Sequence, residues 1–345
     1  MRPLVRVGGT LAAGAAMVAL AFVLEDGALP MYTRMGLAAI VAVGLSLLMG
    51  FAGQISLGQG AFYAIGAYTA GILSVGIDPD DRLVNPDAGW DPLLALAAAP
   101  VVTGVIATGV GIPLLRLRGH YLAFATLALQ LIVLAALFAE DRFTGGQDPG
   151  VVGIPPLEVA GHVIEDERLA AVVWGIVALS VLIALNLVAS RAGRAMRAIA
   201  TSEASAAAAG INVAMVKLRL FVLAAALAGL AGGLFTSYLL FLSPDAFPLL
   251  LSITFVVMVA VGGMGSIYGA VVGAVAITYL EDKLRELGAR EQLLGFDLPT
   301  QAPQVFSVGV FGAILIVVML FVPRGVLPSV RTGVSALGRR PRRWV

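Results

Sequence analysis

Three polar side chains, Gln54, Ser56 and Gln59, interrupt an apolar stretch in the run GFAGQISLGQG, where they stand among Gly50, Gly53, Gly58 and Gly60. Amides and a hydroxyl supply hydrogen-bond donors and acceptors but no general base, so the chemistry open to this cluster is hydrogen bonding to a passing solute. Glycine frees the backbone from helix. Irregular backbone at membrane depth persists only where protein buries it or where it lines a water-filled cavity. Gly53, Gln54, Ser56 and Gln59 are therefore candidate pathway residues, although a short turn between two spans would use the same residues without that role. A second glycine cluster, Gly262, Gly263 and Gly265, precedes Ser266. A helix starting there would point free N–H groups at whatever lies before it. An anionic solute group and a plain hairpin turn both fit that arrangement.

No constellation suits catalysis. The chain has no cysteine, which excludes disulfides, thiolate chemistry and cysteine metal sites. No phosphate-cradling P-loop is present. No catalytic residue, metal or cofactor is expected, the protein is not expected to be an enzyme, and no nucleic-acid partner is indicated.

The elements that must carry these residues are apolar spans. Of the 345 residues, 59% are hydrophobic and 12% charged, and the mean hydropathy is +0.97, far from a soluble domain. A span needs about 20 predominantly apolar residues. The pattern predicts about ten: Thr10–Leu24, Met31–Phe51, Ser56–Val75, Leu93–Leu115, Tyr121–Phe138, Ala170–Val188, Leu218–Leu240, Leu249–Val261, Ile267–Leu280 and Phe306–Phe321. The pair within 249–280 reads as two spans or as one broken, re-entrant element. With the N-terminus in the cytoplasm and the first span uncleaved, every acid but Glu203 falls outside. Most of the Arg and Lys falls inside, which is the orienting signal. His120 and His162 then lie on opposite sides. The basic tail, 323–345, is placed inside, against anionic lipid or simply holding the C-terminus there. No ionisable residue falls in the middle of a span, which argues against a proton-coupled carrier and a voltage-gated channel. Gly229-x-x-x-Gly233, Gly265-x-x-x-Gly269 and Gly269-x-x-x-Gly273 suit close helix packing.

The internal segment 190–217 is basic and too polar to span. Its alanine-rich part, Glu203–Ala209, favours helix, with Thr201 or Ser202 to cap the start and Gly210 to end it. A helix with a small-residue face suits a shallow groove on a partner. The plain alternative is a positively charged loop.

An ordered set of motifs resembles the LivM-type permeases of branched-chain amino acid ATP-binding-cassette importers. The set comprises Gly53-Gln-Ile-Ser-Leu-Gly-Gln-Gly-Ala-Phe62 with Gly66-Ala-Tyr-Thr69; Leu117-Arg-Gly-His-Tyr121 with Thr126-Leu; and Thr144-Gly-Gly146. It continues through Gly193-Arg-Ala-Met-Arg-Ala-Ile199 with Gly210-Ile-Asn212 and Lys217, Gly262-Gly-Met-Gly-Ser266, and Pro323-Arg-Gly325. The resemblance implies an all-α, polytopic transmembrane bundle of the type II importer kind, a single permease domain over 1–345, in a bacterial inner membrane. It implies four kinds of partner: a LivH-like second permease, two cytoplasmic ATP-binding subunits, an extracytoplasmic substrate-binding protein, and membrane lipid. It places the ATPase-coupling loop at 190–217, with Gly193, Arg194, Arg197, Glu203, Ala207 and Gly210 shaping the helix that sits on an ATPase. Thr126 joins the pathway candidates through its motif. Gln59 stands where many relatives carry His. The competing class is a self-sufficient secondary carrier or channel for a small polar solute such as urea or an amide. A membrane enzyme would need a polar constellation near a membrane face, which the sequence does not display.

Overall fold

The computed structural model describes residues 3–76, 89–117, 119–139, 150–159 and 162–288, with 292–293, 296–297 and 312. The expected span Phe306–Phe321, the tail 323–345 and the Thr144–Gly146 motif lie outside the described residues.

The helices of the bundle are α1 (Pro3–Ala21), α2 (Leu29–Ser46), α3 (Gln59–Val75), α4 (Pro92–Leu114), α5 (His120–Ala139), α6 (Asp166–Ala189), α7 (Arg191–Thr201), α8 (Glu203–Ala208), α9 (Val213–Leu239), α10 (Leu249–Gly262) and α11 (Ile267–Gly288). Strand structure among the described residues is confined to small pairings. Two are antiparallel two-residue ladders, Glu158–Val159 with His162–Val163 and Gln292–Leu293 with Phe296–Asp297. A single bridge joins Val151 to Leu242. Six of the helical stretches are long and apolar enough to cross a membrane by length and composition, among the described residues. The architecture is a polytopic helical bundle. The helices coincide with the first nine expected spans, with shifted ends. The α11 helix runs past Leu280 to Gly288, so Glu281, Asp282 and Glu286, expected in a loop, are on the helix.

Helix α2 is the hub. Its sequence, LPMYTRMGLAAIVAVGLS, is apolar on all sides and starts with Pro30 in the first turn, where a missing N–H costs nothing. In the stretch Leu29–Phe51, 83% of the most apolar window is buried, against 17% for α5. Four neighbours, α6, α9, α10 and α11, pack around α2. The Trp174 indole of α6 stacks on Tyr32 at 4.8 Å between centroids and donates to the Tyr32 carbonyl at 3.2 Å. The α3–α9 contact rests on absent side chains. A Cβ on Gly232 would lie 1.9 Å from the Tyr63 carbonyl oxygen, and one on Gly66 2.1 Å from that of Gly229. Two backbones that close can be packed only by glycine, which is the arrangement small-residue spacing favours in membranes.

The two ends of the bundle differ. One holds α7 and α8 with Arg191, Arg194 and Arg197 and is called the basic end below. The other holds Arg34, Asp245, Glu281 and Asp282 and is called the acidic end.

Candidate transport pathway

Two helix–break–helix hairpins meet at the basic end. In the first, α2 loosens into a π-helical turn, Leu47–Phe51, and then leaves helix altogether until α3 begins at Gln59. The expected span from Ser56 therefore starts three residues late. Gly53, at φ +66°, makes the reversal, and the Gln54 N–H returns to the Leu48 carbonyl at 2.9 Å. π-turns inside helices occur frequently at functional sites. In the second hairpin, α10 ends at Gly262. Gly263 and Gly265 take φ values of +111° and +89°, and Ser266 caps the new helix by accepting the Gly269 N–H at 3.1 Å. The expected helix start near Ser266 is realised, at Ile267.

The breaks touch through backbone. A Cβ on Gly50 would lie 2.2 Å from the Gly265 nitrogen. On its other side the first break faces α7: a Cβ on Gly53 would stand 3.7 Å from Cα of Ala200. The sequence placed these glycines in separate motifs, and the fold brings them together.

Within the first break Gln54, Ser56 and Gln59 are all buried, and their side-chain polar atoms have no hydrogen-bond partner among the described residues. Buried polar groups are normally paired, and leaving one unpaired costs about 1–3 kcal/mol. Three such side chains in one break are what make it the candidate pathway element. Thr126 differs. Its hydroxyl accepts the Leu57 N–H at 2.9 Å and donates to the Ala123 carbonyl at 2.9 Å, so it fastens α5 to the segment leading into α3. A second tie was not visible in the sequence: buried Ser252 of α10 accepts the Gly60 N–H at 2.8 Å and donates to Gln130 Oε1 at 3.2 Å. Replacing Ser252 with alanine strands that N–H. The expected loss is about 1–3 kcal/mol, measured as a lower thermal unfolding temperature of the purified protein. Unchanged stability would show that water takes over the bond.

The segment 190–217 folds into two helices rather than the single short one expected. Ser190 caps α7 by accepting the Ala192 N–H at 3.1 Å, and Ser202 caps α8 by accepting the Ser205 N–H at 3.2 Å. Ser202 breaks the run because its extended backbone, φ −161°, separates the two. Helix α7 buries Gly193, Met196 and Ile199 on one face and exposes Arg191, Arg194 and Arg197 on the other. Gly193 is required by proximity, since a Cβ there would lie 2.0 Å from the Val188 carbonyl oxygen. Gly210, at φ +82°, ends the unit. On α8, Ala206 is buried while Ala204, Ala207 and Ala208 are exposed, so the small-residue face is real.

Glu203 opens α8 and pairs with Lys217 of α9, whose side chain is only 7% exposed against 44% for the carboxylate. This ion pair closes the loop on its own exit helix. Glu203→Gln strands a mostly buried ammonium. Because the carboxylate is half in solvent, the expected cost is only about 1 kcal/mol. Lys217→Met removes the charge with the bond and is expected to cost less. Thermal unfolding of both variants tests this; equal losses would show that the lost bond, not the stranded charge, sets the cost.

The acidic end holds a polar group that the sequence reading missed. Arg34, in the second turn of α2, pairs with Asp282 of α11, 248 positions away. Both line a cavity of about 460 Å³. Thr278, Glu281 and Arg285 of α11 and Asp245 also line it, and Leu37, Phe255 and Met258 supply apolar wall. Thr254 donates to Glu281 Oε1 at 3.3 Å. The only sequence hint was Arg34 itself, a lone cation just inside an apolar span.

A buried hub helix and two broken hairpins that meet at one end give the described residues the architecture of a multi-pass membrane protein. The chain belongs to the family described as branched-chain amino acid transport system / permease component, which matches over residues 27–319, and within it is of the LivM type. It is 28% identical to the high-affinity branched-chain amino acid transport system permease protein LivM of Salmonella typhimurium, over 91% of this chain and 73% of that protein. It is likewise 28% identical to the corresponding LivH of Escherichia coli, over 84% of this chain and 90% of that one. With BraD of Pseudomonas aeruginosa it shares 28% identity over 84% and 91%. No solved structure matches. Similarity to both LivM and LivH indicates a multicomponent transporter with a second permease.

Proposed function

We propose that the chain is one of two permeases of an ATP-driven importer for branched-chain or related amino acids. A LivH-like protein is the second, two cytoplasmic ATP-binding subunits drive the cycle, and an extracytoplasmic binding protein delivers the solute. The basic end faces the cytoplasm, consistent with the bias of arginine and lysine toward that side. The observation that carries the reading is the position of α7. It lies between the exposed small face of α8, which suits a partner's groove, and the break at Gly53, where unpaired Gln54 and Gln59 are buried. Closure of an ATPase pair beneath α7 and α8 then shifts the first break, and the spans alternate between inward-open and outward-open arrangements. Gly193, Arg194, Arg197, Glu203, Ala207 and Gly210 shape the docking unit. Gly53, Gln54, Ser56, Gln59, Gly262, Gly263, Gly265 and Ser266 shape the gate, with Thr126 holding its entry.

The test is uptake of labelled leucine, isoleucine and valine by cells lacking only this gene, with ATP and ion gradients varied independently. Loss of an ATP-dependent, gradient-independent uptake is the expected result. Dependence on an ion gradient would overturn the mechanism, and unchanged uptake of all three would move the substrate to another amino acid, urea or an amide.

A further inference from the structure

The cavity at the acidic end lies far along α2 and α11 from the breaks, and the gate does not use it. Its wall combines both signs of charge with an apolar flank. Arg34 spends Nη2 on Asp282, and its buried Nε has no partner among the described residues. The Thr278 hydroxyl, 8% exposed, is also unpartnered there. Arg285 lines the same space with no hydrogen-bond or ion-pair partner among the described residues. On the opposite sign stand Glu281, which already accepts from Thr254, and Asp245. The volume falls in the range of small-molecule sites, about 300–1,000 Å³, and such sites combine an apolar lining with a few converging polar groups.

We propose that this cavity is a receiving station for an α-amino acid zwitterion on its way from the binding protein to the gate. The free donors of Arg34, Arg285 and Thr278 take the carboxylate, Glu281 and Asp245 take the ammonium, and Leu37, Phe255 and Met258 face the aliphatic side chain. A solute with one charge alone leaves half of the polar groups unanswered, and a neutral amide such as urea leaves both charges unanswered. Selection then comes from polar groups left unanswered rather than from size. The inference rests on the reading of the chain as an amino acid permease.

The experiment uses the assembled transporter in proteoliposomes, with its binding protein loaded with labelled leucine. Thr278→Val keeps the shape of the side chain and removes its donor; Arg285→Gln removes an exposed cation that makes no hydrogen bond or ion pair among the described residues and acts on Glu281 only through its charge. Each is expected to lower leucine uptake about tenfold, the effect of roughly one lost charge-assisted bond. Thermal unfolding of both variants should match the wild type, which separates a lost solute contact from a lost fold. Binding of labelled leucine to the transporter without its binding protein should weaken in parallel. It should be displaced by unlabelled leucine but not by 4-methylpentanoate or 3-methylbutylamine, which carry one charge each. Wild-type uptake and binding in both variants, or equal displacement by the singly charged analogues, overturns the station while leaving the importer intact. A wild-type transporter that imports no amino acid overturns the reading beneath it.

Discussion

Gly50→Val is expected to abolish ATP-dependent uptake while leaving the protein in the membrane. The Cβ of any residue at Gly50 falls 2.2 Å from the Gly265 nitrogen, and the colliding atoms are backbone, which cannot rotate away as a side chain does. The hairpins must separate, and overpacking of that kind costs about 1–3 kcal/mol before any effect on function. Gly265→Ala is the informative companion. Its Cβ would meet nothing nearer than the Gly50 carbonyl oxygen at 3.5 Å, but φ of +89° strains any L side chain, at about 1–3 kcal/mol. That variant is expected to keep reduced uptake. Uptake normalised to the amount of protein in the membrane separates the two, and wild-type transport by Gly50→Val would show that the breaks do not abut in the working transporter.

Ala207→Glu is expected to uncouple the machine. Ala207 is exposed on α8, so a larger, charged side chain meets nothing within this chain and should leave its stability within about 0.5 kcal/mol of wild type. A groove shaped for a small residue would be blocked, and an unpaired charge in a closed interface costs several kcal/mol. Uptake should fall to background while the ATP-binding subunits, freed from their load, continue to hydrolyse ATP. Ala207→Ser is the conservative control and should transport normally. Normal coupling by Ala207→Glu would remove α8 from the docking surface.

The spans were legible in the sequence because bilayer thickness and backbone hydrogen bonding leave few choices for long apolar runs. So were the helix start at Ser266 and the stop at Gly210, since a capping hydroxyl and a positive-φ glycine act through their immediate neighbours. What escaped was everything decided across the bundle. Arg34 and Asp282 lie far apart in the chain, and only packing of α2 on α11 makes them a pair and gives the acidic end its polar constellation. Nothing local to Ser252 marks it out, and its bond to the Gly60 N–H, 192 positions away, exists only once α10 packs against α3. Thr126 carried a motif, but its hydrogen bonds show a fastening role. The division of 190–217 into two helices was missed because alanine-rich propensity does not reveal that Ser202 caps one helix by ending another.

The meeting of Gly50 with Gly265 also has a mechanical meaning. Where side chains interlock, a shove can be absorbed by rotamer changes before the main chain moves. Glycine against glycine has no such slack: at Gly50 and Gly265 the main chains are already at contact. A displacement of one reversal must therefore carry the other with it or open a void between them. On that account the two reversals would move as one stiff part, and tolerance to substitution should drop sharply at Gly50, where the backbones abut, and at Gly53 and Gly265, where φ is positive.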